Sequence, residues 1–529
     1  MLFLMGASTG AAYAVSNPGI TDVKIAQQDG ACTGIVKDAT GETVIGASVV
    51  VKGTTNGTIT GIDGDFSLSN VKKGDILQIS FVGYITQEVK WNGTPLNIIL
   101  KDDTQTLEEV VVVGYGTQKK VNVTGAVGMV DSKVIAARPV QNVSQALQGV
   151  IPGLNLTVGN SGGSLDGEMN INIRGTGTIG DGSGSSPLVL IDGIEGNLNT
   201  VNPNDIESVS VLKDAASASI YGARASFGVI LVTTKSGKSG KTNVNYSGNV
   251  RFNDAIGIPE LMDSYTFAQY FNRASSNRGG GDIFSPAVME RIKAYQEGTL
   301  TATTVDNGSG IWQKWANANG NTDWFGEFYD NWVPSQEHNL SISGGTEKLQ
   351  YVLSGSFLDQ KGLLRHGTDK FQRYTLNSKI TANITDWLKV TLNSKWTRED
   401  FQRPTYLTSS FFHNLARKWP VHPAYDPNGF PMDEGEIEQM ENGGEQNSQK
   451  DYYTNQLHVV IEPIKNWRIN LEGSVRTTTQ YQHWEVLPVH AYDVNGDPYY
   501  TVWDMGYGSY SAGSSRVDEY SWKENYYTT

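Results

Sequence analysis

WLKVTLNSKWT, residues 387–397, decides how this 529-residue sequence is read. Leu388, Val390, Leu392 and Trp396 are apolar, while Lys389, Thr391, Asn393, Lys395 and Thr397 between them are polar. Successive side chains of a strand point to opposite faces, so this stretch has one apolar and one polar face. RYTLNSKITANI repeats the pattern, with Tyr374, Leu376, Ile380, Ala382 and Ile384 against Arg373, Thr375, Asn377, Lys379, Thr381 and Asn383. LQYVLSGSF, from Leu349, follows suit. So does WRINLEGSVR, with Trp467, Ile469, Leu471 and Val475 against Arg468, Asn470, Glu472 and Arg476. NVNYSGNVRF, near Asn243, is a weaker case.

Alternation alone fits a soluble sandwich as well as a membrane barrel. Length and connectivity separate the two. Each run is about ten residues, the length a tilted strand needs to cross a bilayer. Short turns at 344–346, 385–386 and 463–466 alternate with long connections at 253–336, 359–372 and 400–451, the pattern of an outer-membrane barrel. Seven such strands are expected, with an eighth near 517–527. Trp387 and Trp467 start strands beside short turns, where an aromatic girdle belongs. Eleven of the twelve tryptophans lie at or after Trp312, which fits that placement. Within the first long connection, YTFAQYFNRASS and SPAVMERIKAYQ, the latter opening at Ser285-Pro286, read as two helices.

Three zones precede the barrel pattern. Residues 32–102 carry short alternating segments (CTGIVKD, ASVVVKG, FSLSNV, ILQISFVGY, LNIILKD) between turn signals, which predicts a small β-sandwich. Asp63 and Asp65 lack the rest of a calcium motif and read as an Asp-Gly hairpin turn. Residues 121–237 mix strands (INIRG, PLVLIDG, ESVSVLK, GVILVTTK) with two short helices. One is capped by Asn142 and ends at Gly149; the other, DAASASIYGARA, is capped by Asp214. Between these zones, at 104–120, lies LEEVVVVGYG. Its valine run is a strong strand former with no hairpin partner close by, an edge that invites pairing with another chain. The expected fold is mainly β: an N-terminal β-sandwich, an α+β domain, then an incomplete antiparallel transmembrane β-barrel over 241–529.

Composition excludes several functions. A net charge of −14 leaves no basic footprint for nucleic acid. Cys32 is the sole cysteine, so no intrachain disulfide framework and no multi-cysteine zinc site is encoded. All seven histidines lie at or after His338, so no histidine triad fits upstream. Gly6-Ala7-Ser8-Thr9-Gly10 matches the nucleophile elbow, but in an apolar N-terminal segment. The Gly175, Gly177, Gly180 pattern follows a strand but precedes a loop, not the helix a dinucleotide site requires. No catalytic residue, cofactor or metal is expected. Arg174 fits a structural ion pair with Glu207 or Asp214; carboxylate or phosphate binding is the alternative. Trp419 and His413, in a long connection that also holds His422, read as ligand contacts or as exposed loop side chains. The first 14 residues, MLFLMGASTGAAYA, read as a secretory signal that lacks its basic n-region; a buried helix is the alternative. No run of 18 apolar residues occurs, so no membrane-spanning helix is encoded.

These residues carry a family resemblance. NPNDIESVSVLKDAASASIYGARASFGVILVTTKSGK, with NVSQALQGVIPGLNL, INIRGTG and PLVLIDGIEG, closely resembles the plug domain of TonB-dependent outer-membrane transporters, in the SusC/RagA branch from Bacteroidetes-type bacteria. GETVIGASVVVKGTTNGTITGIDGDFSL resembles that branch's carboxypeptidase-regulatory-like domain. The plug motif so implied includes Arg174, Gly175, Asp192, Gly193, Glu207, Lys213, Asp214, Tyr221 and Gly222. LEEVVVV is similar to the TonB box, which assigns Leu107, Glu108, Glu109, Val110, Val111, Val112 and Val113 to binding the periplasmic C-terminal domain of TonB by β-augmentation. The resemblance implies a non-enzyme in the bacterial outer membrane, in contact with its lipid. It implies active import of a nutrient, glycans first and peptides second, with a SusD-like surface lipoprotein as partner. A receptor or adhesin without energised transport is the alternative. The family's barrels have about 22 strands around the plug. With eight, this sequence is expected to end inside the barrel domain, as a fragment.

Overall fold

The computed structural model describes residues 31–528 apart from 39, 82–83, 102–109, 114–115, 120–125, 139, 159–163, 166, 168, 176–185, 502, 505–508 and 511–513. The expected signal segment and most of the glycine pattern after Gly175 lie outside the described residues. Residues up to Glu109 form one compact unit and those from Val110 onward another.

The first unit is a seven-stranded β-sandwich. One sheet orders Asp65–Leu68, Cys32–Lys37 and Leu96–Ile99; the other orders Gly57–Ile59, Ser48–Val51, Ile76–Ser80 and Gln87–Lys90. Alternate residues face inward: Cys32, Val36, Val49, Phe66, Leu77, Ile79 and Ile98 are buried together. The Asp63-Gly64 turn differs from expectation. It joins Gly57–Ile59 to Asp65–Leu68, which lie in opposite sheets, so it is a crossover between layers and not a hairpin.

In the second unit, a five-stranded plug sheet orders Val127–Asp131, Ile206–Leu212, Val229–Thr234, Leu188–Ile191 and Ile194–Glu195. Helices Ser132–Ala136 and Val143–Leu147 pack on it through Ile135, Val143 and Leu147, against Val209, Val211, Ile230 and Val232. Asn142 caps the second helix as expected, its side chain accepting from the Gln145 N–H at 2.9 Å. The stretch after Asp214 is less regular than the single helix expected. Ala215–Ala218 is α-helical, and Ser219–Ala225 is a 3₁₀ segment broken at Gly222, where φ is 67° and ψ −156°.

Eight antiparallel strands form the wall in chain order: Gly240–Asn253, Val333–Gly345, Leu349–Lys361, Lys370–Thr385, Leu388–Pro404, Glu445–Ile464, Trp467–Val486 and Arg516–Thr528. The first and eighth do not pair with each other, so the described wall is an open sheet. Its burial is inverted relative to a soluble sandwich. Leu392 is 47% exposed and Leu471 54%, while Asn393, next to Leu392 along the strand, is 4% exposed and Thr397 6%. The apolar face looks away from the plug and the polar face packs on it, which is the arrangement a lipid-facing wall requires. Trp387 and Trp467 lie exposed at the short-turn ends, and Phe357, Tyr374, Trp396 and Tyr453 form an outward row higher up. The nine-residue rise from Trp387 to Trp396 spans roughly 30 Å along a strand, close to the ~25 Å apolar band once tilted.

The strands are longer than the ten residues expected, reaching 20 in Glu445–Ile464 and Trp467–Val486. The excess lies on the long-connection side, where outward positions turn polar at Arg398, Asp400 and Gln402. There the ladder runs on past the lipid and carries a folded cap. The longer strands shorten the third-to-fourth connection to residues 362–369. The two helices expected in the first connection are Ser264–Asn277, capped by Asp263, and Pro286–Gln296, capped by Ser285. Further helices, Trp324–Phe328, Ser409–Ala416 and Ile437–Asn442, bury Trp324, Phe328, Phe411, Leu415, Ile437 and Met440 against Val486 and Val489.

Candidate functional site

Asp192 ends plug strand Leu188–Ile191 in a turn with Gly193, both at positive φ (51° and 91°). The turn presses on the polar face of the wall. One carboxylate oxygen pairs with the Lys395 ammonium and accepts from Asn393 Nδ2 at 3.1 Å; the other lies 3.4 Å from Lys379 Nζ and accepts from the Thr234 N–H at 2.9 Å. Gln456 Nε2 donates to the Asp192 carbonyl at 2.8 Å and to Glu472 Oε1 at 2.7 Å. A Cβ at Gly193 would meet Glu472 Oε1 at 3.3 Å, so the backbone conformation and the close approach both favour glycine. Burial opposes ionisation of Asp192, but the two ammonium groups and its hydrogen bonds hold the carboxyl well below the usual carboxylate range. Other contacts join plug and wall: Asn377 donates to Asp205, Asn202 Nδ2 to Asn339 Oδ1 at 2.6 Å, and Arg476 to the Glu195 carbonyl.

Lys379, Lys395, Asn393, Gln456 and Arg373 were not singled out from sequence. The signal was present in the inward row of polar residues, since a lysine facing a protein-filled lumen needs a carboxylate. Among the plug-motif residues, Asp192 and Gly193 touch the wall. The remaining members serve the plug itself. Lys213 Nζ donates to the Pro152 carbonyl at 2.6 Å, Asp214 accepts from the Ser217 N–H at 2.8 Å, and Tyr221 packs beside Val229 and Leu231. Glu207 is exposed. Arg174 is exposed at φ 59°, followed by Gly175 at φ 97°. Among the described residues it makes no ion pair with Glu207 or Asp214, contrary to expectation; its charge reaches Asp214 only as a field.

Two other expectations change. Leu107, Glu108 and Glu109 lie outside the described residues, but Val110–Val113 does have a hairpin partner: it pairs antiparallel with Gly116–Lys119, Val113 opposite Gly116. Trp419 is not a free loop aromatic. Its ring sits among Phe267, Phe271 and Phe284, with centroids 4.9–5.7 Å away, and its carbonyl accepts from Trp324 Nε1 at 3.0 Å. It fastens one long connection onto the amphipathic helix Ser264–Asn277 of another. His413 is exposed, and His422 is fully buried against Trp315, ring centroids 4.5 Å apart.

A cavity of about 1380 Å³ lies between plug and cap at the long-connection end of the wall. Its floor is plug (Gln141, Asn142, Gln145, Met169), its side is wall (Gln360, Gln446, Trp484), and its roof is cap (Phe325, Tyr329, Phe412). The segment 253–259 borders it, with Ile256 95% exposed. Neither Trp419 nor His413 lines it. Aromatic faces and side-chain amides share its lining with the charged Arg138, Asp254, Lys361, Asp369 and Arg403, so the concave site can offer stacking, hydrogen bonds and charge.

Residues 119–229 match the TonB-dependent Receptor Plug Domain family, and residues 32–112 match the CarboxypepD_reg-like domain family. The TonB-dependent receptor SusC of Bacteroides thetaiotaomicron is 37% identical over 375 residues, 69% of this chain and 33% of that protein. The chain is a homologue of the SusC-type TonB-dependent receptors. TonB-dependent receptor P39 of Formosa agariphila is 33% identical over 393 residues, 73% of this chain and 34% of its own. The RagAB peptide importer in its open-open state shares the fold, with a TM-score of 0.61 at 24% identity over 79% of this chain and 46% of that one. The chain spans about a third of the length of these curated relatives. They are receptors and not enzymes, and the wall of this chain lies in the outer membrane as theirs do.

Removing Asp192 takes the carboxylate away from two largely buried ammonium groups, Lys379 and Lys395. Asp192→Ala in the full-length protein is expected to cost about 3–5 kcal/mol in urea unfolding, and the Asp192→Ala/Lys395→Met double variant to recover part of it. Wild-type stability in the single variant would contradict the assignment. In the cap, burial, with Lys418 and Lys314 nearby, pushes His422 down to about 3. Its folded pKa is thus below the unfolded value of ~6.5, so the unfolded cap takes up the proton first and stability falls as pH drops from ~6.5 towards 3. Limited proteolysis should cut the cap faster as pH falls through that window, and His422→Phe should flatten the dependence.

Proposed function

We propose that the protein imports a nutrient across the outer membrane, energised through TonB. The observation that carries this reading is the plug docked by buried polar contacts on the inner face of a lipid-facing wall, directly beneath a cap-roofed cavity. A ligand held there cannot pass until the plug shifts, and shifting it breaks several charge-assisted bonds at once, which calls for an external energy source. Residues 107–113 are the point of attachment. Strand Val110–Val113 uses one edge for Gly116–Lys119, and its other edge pairs with nothing among the described residues, so a strand of TonB can add there.

The cargo we assign is an oligosaccharide: Gln141, Asn142, Gln145, Gln360 and Gln446 offer amides to hydroxyls, and Tyr329, Phe412 and Trp484 offer faces to sugar rings. The same amides match a peptide main chain, so peptides are the second reading. A SusD-like surface lipoprotein would close over the cap.

Deleting residues 107–113 from the full-length gene should abolish growth on one nutrient supplied alone, with the amount of protein in the outer membrane unchanged. Testing single glycans beside peptide mixtures identifies the cargo class in the same experiment. Unchanged growth on every one, in a strain without redundant transporters, would replace import with a receptor or adhesin role.

A further inference from the structure

The cavity floor and the wall meet at one side chain. Arg373, on wall strand Lys370–Thr385, is 3% exposed. Its Nη1 donates to the Asn199 carbonyl and its Nη2 to the Gln141 carbonyl, each at 2.6 Å. Those carbonyls belong to different plug segments: Gln141 precedes the helix Val143–Leu147, and Asn199 sits in the 3₁₀ turn Leu198–Thr200. Ser144 Oγ ties the two together through Asn199 Oδ1 at 3.0 Å. On the opposite side of this corner, Gln141, Asn142 and Gln145 face the cavity, and Gln145 Oε1 accepts from the Gln141 N–H at 3.2 Å. The residues a ligand touches and the carbonyl the wall holds are therefore the same residue or its near neighbours.

The grip has little slack. Arg373 Nε has no hydrogen-bond partner; the Glu399 carboxylate, opposite in register, and Glu337 supply counter-charge, and the two plug carbonyls accept from both terminal nitrogens. Hydrogen bonds weaken steeply with distance and angle, so a small displacement of the Gln141 carbonyl weakens the hold. The Asp192 turn is a separate anchor, on the strand Leu188–Ile191 and against other wall residues.

We propose that Arg373 is a positioning residue that couples occupancy of the cavity to the plug's hold on the wall: a ligand favouring a shifted floor loosens the Val143–Leu147 corner while the Asp192 anchor stays closed. The proposal rests on the cavity being the ligand site of the import reading. A ligand shifts the equilibrium only by its differential affinity for the held and released corner.

The test uses the full-length protein with fluorescein maleimide as a tethered occupant, attached to Ser409→Cys on the cap side of the cavity. The native Cys32 is fully buried, and any cysteine in the rest of the full-length protein is first replaced by serine. Hydrogen–deuterium exchange is read at 143–147 and at 188–195. With Arg373 intact, labelling should raise exchange at 143–147 by about tenfold, the worth of one hydrogen bond to a charged group, and leave 188–195 unchanged. In Arg373→Met the corner should exchange fast before labelling, and the label should add nothing. If Arg373→Met does not fold, Arg373→Lys, which keeps the charge but loses the two-carbonyl fork, should show the same loss of response. No effect of the label, or an equal effect with and without Arg373, would overturn the coupling. The readout does not involve transport, so it fails independently of the growth test.

Discussion

A buried carboxylate, Asp192, meets two lysines of the wall, and the rest of the second unit is arranged around that contact. A lipid-facing sheet puts its apolar residues outward, so whatever lies inside meets a polar surface. Lys379, Lys395, Asn393 and Gln456 face inward because Leu392, Leu376 and Leu457 face outward. Their buried charges need a counter-charge, and the plug supplies it on a turn whose glycine lets the backbone approach. The same constraint explains why plug and wall are joined largely through side-chain amides, a carboxylate and backbone carbonyls, with one small apolar contact where Leu165 packs on Leu358, Phe371 and Phe401. Such contacts are strong while aligned, and they exchange for water once pulled apart.

Above this junction the wall strands run on beyond the bilayer and carry a cap with its own core. Trp324, Phe328 and Phe411 are as deeply buried as any residue of the plug. Trp419 and His422 pin separate long connections together, so the cavity roof is a packed structure and not a fringe of loops. The cavity is thereby largely preformed, and the movable part of its boundary is the plug floor gripped by Arg373.

Much of this was legible in the sequence, for local reasons. Strand faces followed from alternation, so the inward row of the fourth and fifth wall strands was read correctly down to Arg373 and Asn393. Helix starts followed from caps at Asn142 and Asp214. The partners of those inward residues were not legible, because Lys395 and Asp192 are 203 residues apart and meet only once the sheet curves round the plug. Strand length was underestimated because polar residues continue the ladder beyond the lipid as readily as they end it. Trp419 reads from sequence as a ligand contact or an exposed loop side chain, and neither holds, because its aromatic neighbours lie in a different long connection. At 110–119, the valine run shows no partner of its own kind in the sequence, whereas it pairs with the polar Gly116–Lys119 as a hairpin.

The central claim is that transport requires the plug to part from the wall. Asn202→Cys with Asn339→Cys, bridged by a short bis-methanethiosulfonate, replaces a buried side-chain contact, 2.6 Å between its amide atoms, with a reducible cross-link across that interface. Uptake of the nutrient identified by growth should stop when the cross-link is formed and return when it is reduced, with ligand binding retained throughout. Full uptake by the cross-linked protein would contradict the account.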